Sequence, residues 1–156
     1  MVTTSIILVV MACANIFSWI LGTQMIPQKV AMAISSITSN PLLFLLLINI
    51  LLLIVGCFLE GLAAIIILVP ILLPLSQQMG IDPLHFGIIV VMNLMIGLIT
   101  PPLGLCLFVC CSVASVDLIR LIRVSAPFIL VEIVALLIVT YFPQIVLFIP
   151  HAFGFR

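Results

Sequence analysis

GLITPPLG, residues 97–104, interrupts an apolar run that extends from Leu84 to Ala114. Two adjacent prolines in this stretch lack a backbone N–H and clash with the preceding turn, so an α-helix cannot continue through it. A broken helix in hydrocarbon leaves carbonyl and amide groups without partners, which is tolerated only where protein, water or a ligand satisfies them. Many secondary transporters build ion or substrate sites at such breaks, so the stretch points to transport.

The composition is that of an integral membrane protein. Of the 156 residues, 67% are hydrophobic and 5% are charged, whereas soluble domains carry about 25% charged residues. Long runs of Leu, Ile, Val and Phe without alternation favour helices and exclude an outer-membrane β-barrel. The formal net charge is zero, which leaves no electrostatic footprint for nucleic acid. No paired-aspartate, Gly-x-Ser-x-Gly-like or zinc-binding signature is present, so an enzyme is not expected.

The order of apolar and polar segments predicts an all-α polytopic membrane protein. Residues 1–22 contain a first transmembrane helix, and residues 23–40 form a polar, amphipathic connector predicted to lie in the membrane interface. Residues 84–114 form the broken transmembrane helix. Residues 115–156 hold a charged loop, placed in the cytoplasm by its arginines, and a final transmembrane helix that starts near Ala126.

Residues 41–75 are predicted to form a re-entrant helical hairpin. The segment divides at Gly56-Cys57-Phe58-Leu59-Glu60-Gly61, where two glycines meet the only acidic side chain of the segment. The arms on either side, Leu42–Val55 and Leu62–Leu75, are each too short to span a bilayer comfortably. A single over-long helix is the alternative interpretation.

The hairpin tip and the break together predict a sodium site. The half-helix that ends near Thr100 presents free carbonyls and the negative end of its dipole, and the Thr100 hydroxyl adds an oxygen ligand. Glycine at positions 56 and 97 allows close approach of backbone carbonyls. Unwound backbone carbonyls of this kind coordinate sodium without a formal charge. The start of the second half-helix, around Pro102 to Leu105, suits an anionic carboxylate.

The other polar residues in apolar segments are predicted to have structural roles. Glu60 is predicted to cap backbone amides at a water-filled hairpin tip, with direct ion or proton chemistry as the alternative. Asn15 and Asn49 are expected to form interhelical hydrogen bonds. His85 is given a surface or helix-capping role. Glu132 is placed near the membrane interface, where it pairs with a nearby arginine or reaches water.

Several ordered motifs carry a resemblance to one family. They are FSW at 17–19, IP at 26–27, GCFLE at 56–60, IIILVPILLP at 65–74, GIDPLHFG at 80–87 and the break at 97–104. Together they resemble the large membrane subunit, of the DctM type, of tripartite ATP-independent periplasmic (TRAP) transporters. Members of this family contain two inverted repeats, each with a hairpin and a broken helix. The chain therefore resembles the C-terminal half, one repeat of an elevator-type transporter.

The resemblance implies sodium-coupled uptake of an organic acid, such as a dicarboxylate or sugar acid, across the bacterial inner membrane. Sodium is the coupling ion and no other cofactor is expected. The resemblance supports sodium ligands at Gly56, Gly97 and Thr100, and adds Leu103 through its backbone. Substrate and hairpin-tip contacts are expected from five further residues: Glu60, Gly61, Pro101, Pro102 and Gly104.

The implied partners are a small membrane subunit, a periplasmic substrate-binding protein, the N-terminal half of the large subunit and membrane lipid. The absence of a Gly-x-x-x-x-Gly-Lys motif agrees with transport driven by an ion gradient. Two alternatives stay open. One is a related ion-coupled anion carrier that needs no binding protein, and the other is a non-transporting fragment with a role in assembly.

Overall fold

The computed structural model describes residues 9, 12, 16, 19, 20, 23–38, 40–59, 61–101, 104–114 and 116–152. Over these residues the secondary structure is helical with no β-strand, which confirms the predicted fold class. The helices are α1 (Ile26–Ile37), α2 (Pro41–Phe58), α3 (Gly61–Gln78), α4 (Pro83–Ile99), α5 (Leu105–Ala114), α6 (Leu118–Tyr141) and α7 (Pro143–Ala152). The helix predicted within residues 1–22 lies outside the described residues, apart from five scattered positions.

Three of the described helices, α2, α3 and α6, are long and apolar enough to cross a membrane. Their length and composition suffice for a span, with mean hydropathy of 2.8, 1.9 and 2.3 respectively. Asn or Asp residues define where helices α2, α4 and α6 start. Asn40, Asp82 and Asp117 each accept a hydrogen bond from the amide two residues later, at 3.0, 2.8 and 3.2 Å. These caps satisfy amides that have no partner within the helix.

The arms of the predicted hairpin, α2 and α3, are longer than expected. The joint between them lies at residues 59–60, within the predicted segment 56–61. Each arm has 18 residues, about 27 Å of helix. This length suffices for a membrane span, so the argument from short arms is wrong. The re-entrant topology therefore stays a prediction, and it needs support other than arm length.

The predicted break in the long apolar run is present. α4 ends at Ile99 and α5 begins at Leu105, which leaves residues 100–104 between the two half-helices. Gly104 has φ +40°, a left-handed conformation that residues with a Cβ rarely adopt. The prolines and this glycine together explain why one helix becomes two.

The charged loop after the broken helix is shorter than predicted. α6 begins at Leu118 rather than near Ala126, because Asp117 caps its first turn and the residues that follow are good helix formers. Arg120 and Arg123 consequently lie on α6 and not in a loop. This correction moves every later residue of α6 deeper along the helix than the sequence suggested.

The final helix is also divided, which the sequence analysis did not predict. α6 ends at Tyr141 and α7 begins at Pro143. Proline disfavours the helical conformation in the residue that precedes it, and Phe142 accordingly has φ −118° and ψ 75°. The predicted final transmembrane helix is therefore two helices.

α4 lies at the centre of the described bundle and packs against α2, α3 and α6. The core is one apolar cluster whose fully buried members include Phe44, Ile48, Leu52, Leu68, Leu72, Phe86 and Ile89. The predicted connector contains α1, which packs against α2 and α3 and contributes Ile34 to the edge of this cluster. Its location in the membrane interface stays a prediction.

α2 and α4 run parallel, so the hairpin joint lies beside the helix break. Asn49 contacts Asn93, and Gly56 contacts Gly97 further along both helices. Because Gly56 precedes the joint by three residues and Gly97 precedes Thr100 by three, the two interruptions share one level of the bundle.

α6 runs antiparallel to α4. The Val139 carbonyl lies 2.9 Å from the His85 ring near the start of α4, whereas Glu132 lines a groove with Ile99 at its end. Because Val139 lies beside His85, about Ser125 of α6 is level with Ile99, and the residues of α6 before it extend about 10 Å beyond the break. α5 packs against α6 and accompanies this extension.

Candidate ion and substrate site

The closest approach of two helices in the candidate site joins Gly56 of α2 to Gly97 of α4. A Cβ atom on Gly97 would lie 2.5 Å from the Gly56 carbonyl carbon and 2.9 Å from its oxygen. No side chain fits on Gly97, and a Cβ on Gly56 would lie a tight 3.3 Å from the Cα of Leu94. The structure therefore brings together the two glycines that the sequence analysis placed in the sodium site, one from each interruption.

Thr100 follows directly at the end of α4, where the backbone becomes extended with φ −99° and ψ 133°. Its Oγ1 donates a hydrogen bond to the Ile96 carbonyl at 2.6 Å. The donated proton orients the hydroxyl and leaves its oxygen lone pairs available to accept a ligand. Thr100 is half-buried and can present this oxygen at the break.

The prolines alter the hydrogen bonding of the last carbonyls of α4. In a continuous helix the amides of residues 101 and 102 would donate to the carbonyls of Gly97 and Leu98, but Pro101 and Pro102 have no N–H. The Thr100 amide instead donates to the Gly97 oxygen at 3.1 Å, a tighter turn. One lone pair of the Gly97 oxygen is then engaged, and a carbonyl oxygen has two.

Gly104 closes the break against Thr100. A Cβ on Gly104 would lie 3.3 Å from the Thr100 carbonyl oxygen and 2.9 Å from a methyl group of Leu107. The Gly104 carbonyl accepts from the Leu107 amide at 2.7 Å, which starts α5. The start of α5 therefore lies next to the Thr100 carbonyl at the end of α4.

The remaining site predictions divide between described and undescribed residues. Gly61 is open, with no heavy atom within 4 Å of the position of an added Cβ. Pro101 is half-buried in the break. Glu60, Pro102 and Leu103 lie outside the described residues. In the described part of the chain no cluster of three or more His, Cys, Asp or Glu side chains that could hold a metal ion is present. The described oxygens at the break belong to carbonyl and hydroxyl groups.

A buried polar network lies one to two helical turns from the glycine contact. The Asn93 side-chain amide donates to Asn49 Oδ1 at 2.8 Å, and the Asn49 side-chain amide donates to Thr140 Oγ1 at 2.8 Å. The interhelical role predicted for Asn49 is confirmed, whereas Asn93 and Thr140 were missed. Their signal was available, because a polar side chain in an apolar helix is expected to find a partner helix.

His85 is not a surface residue. It is 3% exposed, and its Nε2 lies 2.9 Å from the Val139 carbonyl oxygen. Its backbone amide is 3.2 Å from the Asp82 carboxylate, so the capping interaction belongs to Asp82. The ring therefore ties the start of α4 to the end of α6, and the predicted surface role is wrong.

The interrupted helices and the three span-capable helices define a helical multi-pass membrane protein. Residues 1–145 match the family model described as "Tripartite ATP-independent periplasmic transporter, DctM component". The chain belongs to this family, as the sequence motifs implied. The family consists of transporter components, which agrees with the expectation that the chain is not an enzyme.

Curated relatives cover nearly all of the chain. It is 46% identical over 94% of its length to an isethionate TRAP transporter permease, DctMQ, of Oleidesulfovibrio alaskensis. It is 44% identical over 97% to the C4-dicarboxylate large permease DctM of Pseudomonas aeruginosa, and 40% identical over 97% to the sialic acid large permease SiaM of Vibrio cholerae. The matches cover 23%, 35% and 35% of these relatives. The chain thus spans about a third of a large permease, less than the half expected.

Proposed function

We propose that the chain contributes one sodium site to the large subunit of a TRAP transporter that takes up an organic acid. The observation that carries the proposal is the contact between Gly56 and Gly97 beside the break in α4. It gathers carbonyl oxygens from two interrupted helices next to the Thr100 hydroxyl. The proposed sodium ligands are Gly56, Gly97, Thr100 and, through its backbone, Leu103.

The end of α4 supplies the favourable electrostatics for a cation. Carbonyls at a helix C-terminus carry the negative end of the helix dipole, and the two prolines remove amides that would neutralise them. Sodium binding would exchange its water ligands for these fixed oxygens. Because no carboxylate is required, the bare site is neutral, which limits the desolvation cost of an empty site in the membrane.

The depth of the interruptions supports a re-entrant hairpin. The hairpin joint lies level with the break, while α6 extends about 10 Å further in the same direction and α5 packs against α6. If α4, α5 and α6 cross the bilayer, the joint between α2 and α3 stops part-way through. The proposed site then lies within the bilayer, where an interrupted helix can present it to a substrate and an ion.

The substrate is proposed to bind on the side of the break formed by the start of α5. Helix N-termini attract anions through unpaired amides and the positive dipole end. Relatives are named for isethionate, C4-dicarboxylates and sialic acid, which are all organic anions. Residues proposed to contact the substrate or form the hairpin tip are Glu60, Gly61, Pro101, Pro102 and Gly104.

The proposed partners follow from the family and from the share of each relative that is matched. They are the rest of the large subunit, a small membrane subunit and a periplasmic binding protein, in the bacterial inner membrane. One observation favours a second candidate, a component inactive by itself. Each span-capable helix contains an 18-residue apolar segment, here called its spanning window. Only 6% of the spanning window of α6 is buried, against 39% of that of α2, so α6 lacks the packing against neighbouring helices expected of a complete carrier.

Uptake of a radiolabelled organic acid into proteoliposomes with an imposed sodium gradient tests the proposal. We expect Thr100→Val to raise the sodium concentration for half-maximal uptake by about tenfold, the equivalent of about 1.4 kcal/mol. Thr100→Ser, which keeps the hydroxyl, is expected to stay within about twofold of the parent protein. Thr23→Val is the control, because the Thr23 hydroxyl makes a local, exposed bond to Ile20. Unchanged sodium dependence in Thr100→Val contradicts the sodium site.

The same assay separates the alternatives. Uptake by the chain alone would exclude the inactive component. Uptake that requires the remaining large-subunit segments but no binding protein would indicate the related carrier. Dependence on an added binding protein is expected for the TRAP mechanism.

A further inference from the structure

Glu132 lies in the middle of α6, rather than near its start as the sequence suggested. It is nine residues from Arg123 and nine from Tyr141, about 14 Å of helix in each direction. An arginine and a tyrosine are typical of the two interfaces, which places Glu132 near mid-depth. The predicted pairing with Arg123 is also not favoured, because helical neighbours that pair are three or four residues apart and these two are nine apart.

The Glu132 side chain is exposed at one edge of an open groove between α4 and α6. The groove has a volume of about 380 Å³, and its walls include Met92, Met95 and Ile99 of α4 and Ala135 of α6. Glu132 is the only charged residue among those that line it. The groove runs along α4 from Val91 toward the helix break, since Ile99 is the last residue of α4.

Lipid chains are a poor occupant for this groove. An acidic side chain at mid-depth costs about 2.5–3.5 kcal/mol unless it is paired or faces water or protein. An acyl chain offers no hydrogen-bond donor. The walls of the groove are therefore apolar, but Glu132 needs a hydrogen-bond donor. A transmembrane helix with one polar side chain on an apolar face would satisfy both requirements.

We propose that this groove receives a transmembrane helix of another part of the permease assembly, which presents a hydrogen-bond donor or a cation to Glu132. Two observations support this occupant. The spanning window of α6 is only 6% buried, so the face is free to pack. The chain covers 35% of the length of the DctM relative, and the proposed assembly holds further helices. The proposal does not depend on the sodium site.

Labelling with dicyclohexylcarbodiimide, an apolar reagent for carboxyl groups within membranes, tests the occupant. We expect Glu132 to be modified in vesicles that contain the purified chain alone and to be protected at least tenfold in membranes that contain the whole assembly. Glu132→Gln identifies the labelled residue. Equal modification in both preparations would show a lipid-facing groove and overturn the proposal. Protection already present in the chain alone would assign the groove to this chain or a second copy, and would also overturn it.

A pair of substitutions gives an independent test if the purified chain does not fold. Glu132→Leu leaves the proposed donor unpaired, so we expect the melting temperature of the assembly in membranes to fall by about 2–4 °C or more. Glu132→Gln keeps hydrogen-bonding capacity and is expected to lie closer to the parent protein. A lipid-facing Glu132 predicts the reverse order, because leucine is favoured in hydrocarbon. A rise in melting temperature for Glu132→Leu therefore overturns the proposal.

Discussion

The contact between Gly56 and Gly97 shows how single residues control this site. Both side chains are hydrogen atoms, and the space between the two backbones is too small for a methyl group. Since the same two residues are proposed to supply sodium ligands, the packing of α2 on α4 and the ligand geometry cannot be changed separately.

Gly97→Ala is expected to force α2 and α4 apart. Its Cβ would lie 2.7 Å from the Cα of Gly56, an overpacking that typically costs about 1–3 kcal/mol. Thermal unfolding and sodium-driven uptake should both decline. Gly87→Ala is the matched control on the same helix, because nothing lies within 4 Å of the added Cβ and alanine favours helix. Equal behaviour of the two variants would contradict the close contact.

At the scale of elements, the break in α4 removes helical hydrogen bonds and leaves carbonyl groups at the end of α4 available to other partners. The paired prolines remove the amides that would bond Gly97 and Leu98, and Gly104 turns the chain into α5. Neighbouring helices compensate for this loss. Asn49, Asn93 and Thr140 join α2, α4 and α6 below the break, where each bond is worth about 0.6 kcal/mol in a membrane.

Pro101→Ala is expected to stabilise the fold while impairing transport. The new amide can donate to the Gly97 carbonyl and so competes with the proposed sodium ion for that oxygen. Thermal stability should hold or rise, and uptake should fall or need more sodium. Pro70→Ala is the control, because Pro70 lies exposed inside α3, away from the break. Full uptake with normal sodium dependence in Pro101→Ala would argue against a role for this carbonyl.

At the scale of the whole molecule, burial is distributed unevenly. The spanning window of α2 is 39% buried, that of α3 is 22% and that of α6 is 6%. α4 lies between these helices and contributes many of the buried core residues. The described bundle therefore has a well-packed centre and one nearly uncovered helix, as expected if further helices pack against α6.

An apolar carbene-generating probe dissolved in the bilayer should report this difference. In the chain alone we expect heavy labelling of α6 and light labelling of α2, whose buried face excludes lipid. In the complete assembly α6 labelling should fall severalfold, with α2 little changed as the internal reference. Persistent labelling of all faces of α6 in the assembly would contradict the packing proposed for it.

The all-helical class, the helix break and the hairpin joint follow from the sequence alone. Each depends on a local property: apolar runs without alternation demand helices, adjacent prolines remove amides, and glycines permit a tight approach or turn. For the same reason the sequence indicated Gly56, Gly97 and Thr100 as parts of one site. Such local rules act over one or two helical turns and need no knowledge of the neighbours.

Only the tertiary structure decided how these elements meet. The parallel packing of α2 on α4 brings Gly56 to Gly97, and the antiparallel packing of α6 buries His85 and completes the asparagine network. The early start of α6 places Glu132 in the middle of that helix rather than near its start. These outcomes depend on which helix faces cover one another, and a uniformly apolar sequence encodes that choice in side-chain shape rather than in polarity.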